Sequence, residues 1–241
     1  MVQPASTYGS VADVAAPGEG PELDARYERF MSLRSVRSFV LGGGEVFLAG
    51  ERQPASSLRR LIALGHRHFA EKYVQEAGSK WPALRAATPG LRLNDFGRLQ
   101  TNKVRPALAL FDAMEGLDRP TLAHALQRRI PAGATAPALY IQVNTGKEPQ
   151  KGGVFPEELP RFAAYCRGEL GLALAGLMAI PPRAVDPLPH FRLLRRLADD
   201  AGLHGCCMGM SDDFEVAIRN GATSIRVGRA VFGARRAAVP C

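Results

Sequence analysis

Residues 204–233 read HGCCMGMSDDFEVAIRNGATSIRVGRAVFG. A short apolar run, HGCCM (204–208), breaks at Gly209 and is followed by DDFEVAIRNG (212–221), whose apolar residues recur at helical spacing. A second short run, SIRV (224–227), ends at Gly228, and Gly228-Arg229-Ala230 open a short helix that reaches Phe232 and Gly233. Ser211 is placed as the N-cap of the first helix, with Asp212 and Asp213 in its first turn. A strand that hands over to a helix and then to another strand belongs to a parallel sheet, because parallel neighbours need a helical crossover.

The same alternation runs back through the chain. Strands are expected at 46–49 (VFLA), 68–70, within 91–97 (LRLNDFG), within 111–118, at 138–143 (ALYIQV) and at 173–178 (ALAGLM), which with 204–208 and 224–227 makes eight. The helices between them are SSLRRLIALG, opened by Pro54 with Ser56 and Ser57 and stopped by Gly65, a segment starting at LQTNK, then TLAHALQRR, PEELPRFAAYC and PHFRLLRRLADDAG. No helix is assigned between the second and third strands. Eight such units in this length fit a closed (β/α)8 barrel. An open doubly wound sheet is the competitor, and it is disfavoured because no GxGxxG follows the first strand.

Composition agrees. The chain has 241 residues, 46% apolar, enough for a full core. Residues 1–22 are rich in Ala, Pro, Gly and Ser and read as a disordered tail, leaving 23–241 for one barrel domain. The longest uncharged apolar stretch, 170–182, is too short to span a bilayer, and the N-terminal region has no basic residue before Arg26 and no apolar signal core. Cys166, Cys206, Cys207 and Cys241 form no CxxC pair, which suits a reducing cytoplasm, and Cys206 and Cys207 read as inert packing. Net charge is +8, yet the arginines are scattered through helical stretches such as RYERFMSLRSVR, which reads as solvated helix surface rather than a nucleic-acid stripe. His66 and His68 lack metal-ligand company, so no metal site is expected.

Barrels of this class place their sites at the C-terminal ends of the strands, with phosphates in the loops after strands seven and eight. Ser211 and Gly228 stand in those loops. Glycine lets the backbone approach a ligand, free helix N–H groups attract an anion, and Arg226 and Arg229 add positive charge. Read singly, Ser211 is a cap and Gly228 a turn; together they point to a phosphorylated small molecule.

The segments FAEKYVQE (69–76), GRLQTNK (97–103), QVNTGKEPQKGG (142–153), GLMAIP (176–181), GMSDDFEVAI (209–218) and RVGRAVFGAR (226–235) resemble, in order and spacing, the pyridoxal phosphate homeostasis proteins. These are stand-alone relatives of the alanine racemase N-terminal barrel, and the resemblance spans about residues 45–236. It implies a TIM barrel that binds pyridoxal 5′-phosphate (PLP), buffers or delivers it, and has no established turnover. The phosphate role falls on Ser211, Arg226, Gly228 and Arg229. Met208, just before this loop, counts with the cofactor residues, although by residue type it reads as core.

The chain departs from the family where the chemistry lies. The family's lysine, in AVSKTKP, forms an imine with the cofactor; here the stretch is LAGERQP, and alignment on Pro54 puts Glu51 in its place. A carboxylate cannot condense with an aldehyde, so attachment in the usual geometry is excluded. Lys72 replaces an asparagine, Asn94 a histidine, and Arg229 a small hydroxylated residue. Two readings of Lys72 follow: a structural ion pair with Glu51 on the neighbouring strand, or a partly desolvated amine that takes over the imine. Lys103 and Lys151 sit in family motifs as mouth or surface lysines, and Tyr73 and Gln75 as ligand contacts or packing. The sequence therefore leads to a non-catalytic PLP-binding carrier. A barrel that has lost its ligand and acts as an interaction partner is the alternative, and a racemase, which needs the lysine and a second domain, is disfavoured.

Overall fold

Eight short strands alternate with helices in the computed structural model, which describes residues 19–131 and 135–234. The strands are β1 (Glu45–Ala49), β2 (His68–Glu71), β3 (Arg92–Asp95), β4 (Ala113–Leu117), β5 (Ala138–Gln142), β6 (Leu174–Met178), β7 (Gly205–Cys207) and β8 (Ser224–Val227). Each pairs in parallel with the next, and β8 returns to β1 through Phe47↔Arg226 and Leu48↔Val227, closing the barrel. All eight expected strands are present in order.

The helices are α1 (Glu19–Ser32), α2 (Arg34–Leu41), α3 (Ala55–Ala63), α4 (Val74–Ala87), α5 (Val104–Leu110), α6 (Pro120–Gln127), α7 (Leu159–Ala164), α8 (Leu188–Asp200), α9 (Phe214–Arg219) and α10 (Arg229–Phe232). A 3-10 turn at Thr101–Lys103 leads into α5, and a π-helical turn at Tyr165–Glu169 extends α7. Helix α1 starts inside the stretch assigned to the tail, and residues 1–18 lie outside the described residues. Leu23, Tyr27 and Phe30, at i, i+4 and i+7, supply its buried face. Arg26 Nε donates to the Val231 carbonyl at 2.9 Å, and Arg60 holds Asp24 through two 2.6 Å hydrogen bonds.

Helix α4 corrects the sequence reading, which has no helix there. Pro82 lies inside it and removes one backbone donor. Val74, Ala77, Trp81 and Leu84 are buried at spacings of three and four, so packing of that stripe outweighs the proline.

Strand alternation divides the barrel. Val46, Leu48, Phe69, Leu93, Ile225 and Val227 belong to the hydrophobic core shared with the helices. The opposite positions face each other across the barrel. Glu45 of β1 pairs with Arg92 of β3, a strand it does not adjoin, and Phe47 stacks on His68 with ring centroids 5.3 Å apart. Among the described residues no helix is long and apolar enough to cross a membrane, and no group of three or more His, Cys, Asp and Glu side chains could hold a metal ion.

Two buried groups link stability to pH in opposite directions. His66 donates from Nε2 to the His68 carbonyl at 2.8 Å and accepts from the Tyr27 hydroxyl at Nδ1, 3.3 Å away; burial pushes it down from 6.5 to about 4. Its contribution is present above pH 6.5 and is lost as pH falls toward 4. Asp95 accepts the Gly97 N–H at 2.9 Å, and burial pushes it up from 3.8 to about 7, so its contribution is present below pH 3.8 and is lost as pH rises to 7. The expected result is that Asp95→Asn raises the denaturant midpoint at pH 8 well above that of the native chain and changes it little at pH 4. A difference that does not vary with pH would remove Asp95 from this linkage.

Candidate functional site

The loops leaving the C-terminal ends of β7 and β8 are fixed by their own backbone. Gly209 has φ of 98°, and a Cβ there would lie 2.6 Å from the Ala217 Cβ and 3.1 Å from the Phe214 Cα, so the turn demands glycine. Its carbonyl accepts the Arg226 N–H at 3.0 Å, which ties this loop to β8. Sequence spacing makes Ser211 the cap of α9, but the structure gives the N-cap to Asp213, whose Oδ1 accepts the Met210 N–H at 2.6 Å. Ser211 turns instead to the next loop, where its Oγ accepts the Ala230 N–H at 3.1 Å. The two loops expected to hold a phosphate are therefore joined by the side chain expected to touch it.

Gly228 stands between them and β1. A Cβ added there would meet only the Ala49 Cβ, at 3.6 Å. Arg229 is exposed and paired with Asp212, also exposed. A pair so open to water holds the two loops weakly.

Below the mouth lies a polar layer that closes across the barrel. Glu115 of β4 is fully buried; its Oε1 accepts from Asn94 Nδ2 at 2.8 Å, and its Oε2 accepts from Arg226 Nη1 at 2.7 Å and from the Cys207 thiol at 3.1 Å. These residues come from β3, β4, β7 and β8, on opposite sides of the barrel, so they meet only inside it. Burial pushes the Cys207 thiol far up, keeping it a neutral donor. The Arg226 guanidinium also lies over the Phe96 ring, 5.4 Å from its centroid. Arg226 Nη2 and Asn94 Oδ1 are buried with no hydrogen-bond partner, leaving one donor and one acceptor in this layer for something else to meet.

The expected residues thus separate. Ser211, Gly228 and Arg229 share the β7 and β8 loops, and Asn94 is buried in the layer beneath. Arg226 belongs to that layer and bonds to Glu115, which settles that its strand position points into the barrel. Met208 is fully buried in the hydrophobic core, at the start of the loop that follows β7. Glu51 is buried, 6% exposed, just past β1.

Lys72 is exposed, with its ammonium 5.5 Å from the Tyr73 ring centre. The enclosed lysine beside the first two strands is Lys80 of α4, missed in the sequence because it lies in the helix that was not assigned. Lys80 Nζ is 2.7 Å from Glu71 and 2.9 Å from Glu76, and it donates to the carbonyls of Gly50 at 2.8 Å and Gln53 at 3.3 Å. Glu115 was also missed, although a lone acid in the apolar run of β4 was a legible signal. Two surface clefts of about 510 and 470 Å³, one between α2 and α9 and one between α3 and α4, lie on the helical shell and contain no strand-end residue.

Residues 55–236 match the family model described as alanine racemase, N-terminal domain. The pyridoxal phosphate homeostasis protein of Pseudomonas aeruginosa is 41% identical over 193 residues, covering 78% of this chain and 83% of that protein. That of Aquifex aeolicus is 37% identical over 197 residues, covering 78% and 86%. The chain belongs to the pyridoxal phosphate homeostasis family of alanine racemase-like barrels. PipY of Synechococcus elongatus, solved with PLP bound, superposes with a TM-score of 0.72 at 30% identity, covering 88% of this chain and all of that one.

For a family member, the residues present fit PLP at two of three points. The Gly228 loop is open to a phosphate, with Ser211 beside it, and the Arg226–Asn94 layer offers an unpartnered donor and acceptor to a polar ring. At the end of β1 stands an acid, Glu51, which cannot form an imine.

Proposed function

We propose that this chain binds PLP non-covalently and serves as a reservoir or carrier of the cofactor without turning it over. The observation that carries this reading is the joined β7–β8 loop, in which Ser211 Oγ bonds Ala230 N beside the open backbone of Gly228. The relatives' name and the PLP in PipY support it. Phosphate binding there draws on backbone N–H groups and close approach, which need no lysine. In this reading the partner is a phosphorylated small molecule met in the cytoplasm.

Equilibrium dialysis with PLP, followed by borohydride reduction and peptide mapping, tests it. Saturable binding that inorganic phosphate competes away is expected, with no stoichiometric label on any lysine. Gly228→Val, which fills the space against Ala49, is expected to weaken binding at least tenfold. Absence of saturable binding would leave a barrel that has lost its ligand. Stoichiometric labelling of Lys72 would move the covalent chemistry one strand along and overturn the non-covalent reading.

A further inference from the structure

The exposed apolar side chains at the mouth are gathered on one half of it, and this placement bears on how a carried ligand leaves, an inference that rests on the carrier function proposed above. Every strand is parallel to its neighbours, so the loops that follow the strands meet at one end, and the closed order seats the Gly228 loop between β7 and β1. Among the described residues, the large apolar side chains exposed in these loops are Val185 after β6, 49% exposed, Met210 after β7, 38%, and Tyr73 after β2, 42%. The loops after β3, β4 and β5 expose none. The other exposed large apolar residues, Leu33, Val40, Leu41 and Leu64, lie on the helical shell, at α2 and at the end of α3. Val185 and Met210 thus stand on one side of the proposed phosphate loop and Tyr73 on the other.

Charge follows the same division. In the loops after β3, β4 and β5, Arg98 and Arg119 pair with Asp118, Lys147 with Glu157 and Lys151 with Glu148. Arg52, Lys72 and Arg183, after β1, β2 and β6, are exposed and join no ion pair among the described residues. The exposed acids beside them are engaged: Asp212 pairs with Arg229, and Asp186 accepts the Leu188 N–H at 3.0 Å.

Single exposed apolar residues are ordinary on a protein surface. Three in loops that flank one site, mixed with unpaired cations, instead have the composition of a protein–protein interface, where Tyr, Met and Arg are enriched. A partner seated on both flanks covers the Gly228 loop between them, and with it the way out for a ligand bound there. An aldehyde free in solution condenses with any accessible amine, which a closed passage between two proteins prevents. We propose that this half of the mouth is the docking surface for a protein that accepts the cofactor: a PLP-dependent enzyme in its cofactor-free form, with carboxylates that meet Arg52, Lys72 and Arg183. The ligand passes from one site to the other within the docked pair.

Stopped-flow transfer of PLP from the loaded native chain to the apo form of an aspartate aminotransferase tests this. The reference is the dissociation rate, measured by chasing PLP with excess pyridoxine 5′-phosphate, which cannot form an imine. The transfer rate is expected to rise with apoenzyme concentration and to pass the dissociation rate. In Arg183→Glu with Val185→Asp, both on the exposed loop after β6, transfer is expected to fall about tenfold or more with dissociation unchanged. A transfer rate that levels off at the dissociation rate, or fast transfer that survives both replacements, would overturn docking at this surface and leave PLP binding standing. So would a concentration-dependent dimer of the native chain that the same replacements dissolve, since the surface then belongs to a second copy. If the chain retains no PLP, the binding function fails and the docking fails with it.

Discussion

Glu115→Leu is expected to lower stability by about 3–5 kcal/mol, because it strands the Arg226 guanidinium inside the barrel. Arg226 and Glu115 are almost wholly buried, and the carboxylate is the acceptor for Arg226, Asn94 and Cys207 at once. Replacing both charges together, in Glu115→Leu with Arg226→Met, is expected to recover most of the loss, since a well-packed apolar pair often equals a buried ion pair. Urea denaturation midpoints of the two single variants and the double variant check this. A double variant as unstable as the sum of the singles would mean that the layer is held by its geometry and not by the pairing. The same replacement removes the unpartnered Arg226 Nη2 from the layer, so ligand affinity is expected to fall in the double variant even where stability returns.

Glu51→Lys is expected to turn non-covalent PLP binding into covalent attachment. It places an amine just past β1, on a loop that Lys80 and Glu76 already hold. Partial burial favours the neutral, nucleophilic amine. The checks are a new absorbance band on adding PLP, retention of the ligand through desalting, and borohydride labelling of the peptide that contains residue 51. An unlabelled variant that still folds and binds would show that Asn94, Lys72 or Arg229 obstructs the reaction as well. A labelled variant would show that the one side chain at position 51 decides whether this barrel can hold the aldehyde covalently.

The sequence by itself determined the eight strands and their order. Short β-rich runs between amphipathic segments leave little choice of period, and right-handed crossovers leave little choice of topology. It also marked the loops after β7 and β8, because Gly209, Ser211 and Gly228 are local signals that act within a few residues. Tertiary structure decided what those residues do. Ser211 reads as a cap by spacing, yet it bonds Ala230, nineteen residues on, because Asp213 takes the cap and barrel closure brings the two loops side by side. Helix α4 was not assigned from the sequence; Pro82 lies inside it, and its local cost is outweighed by burial of Trp81 and its neighbours, a gain that exists only once the sheet is there to pack against. The interior layer was the least legible part. Glu115 and Arg226 are 111 residues apart, and strand alternation alone cannot say which face of a strand turns inward. Closure of the barrel fixes that face for every strand at once, and only then do a glutamate, an arginine, an asparagine and a cysteine from four strands become one site.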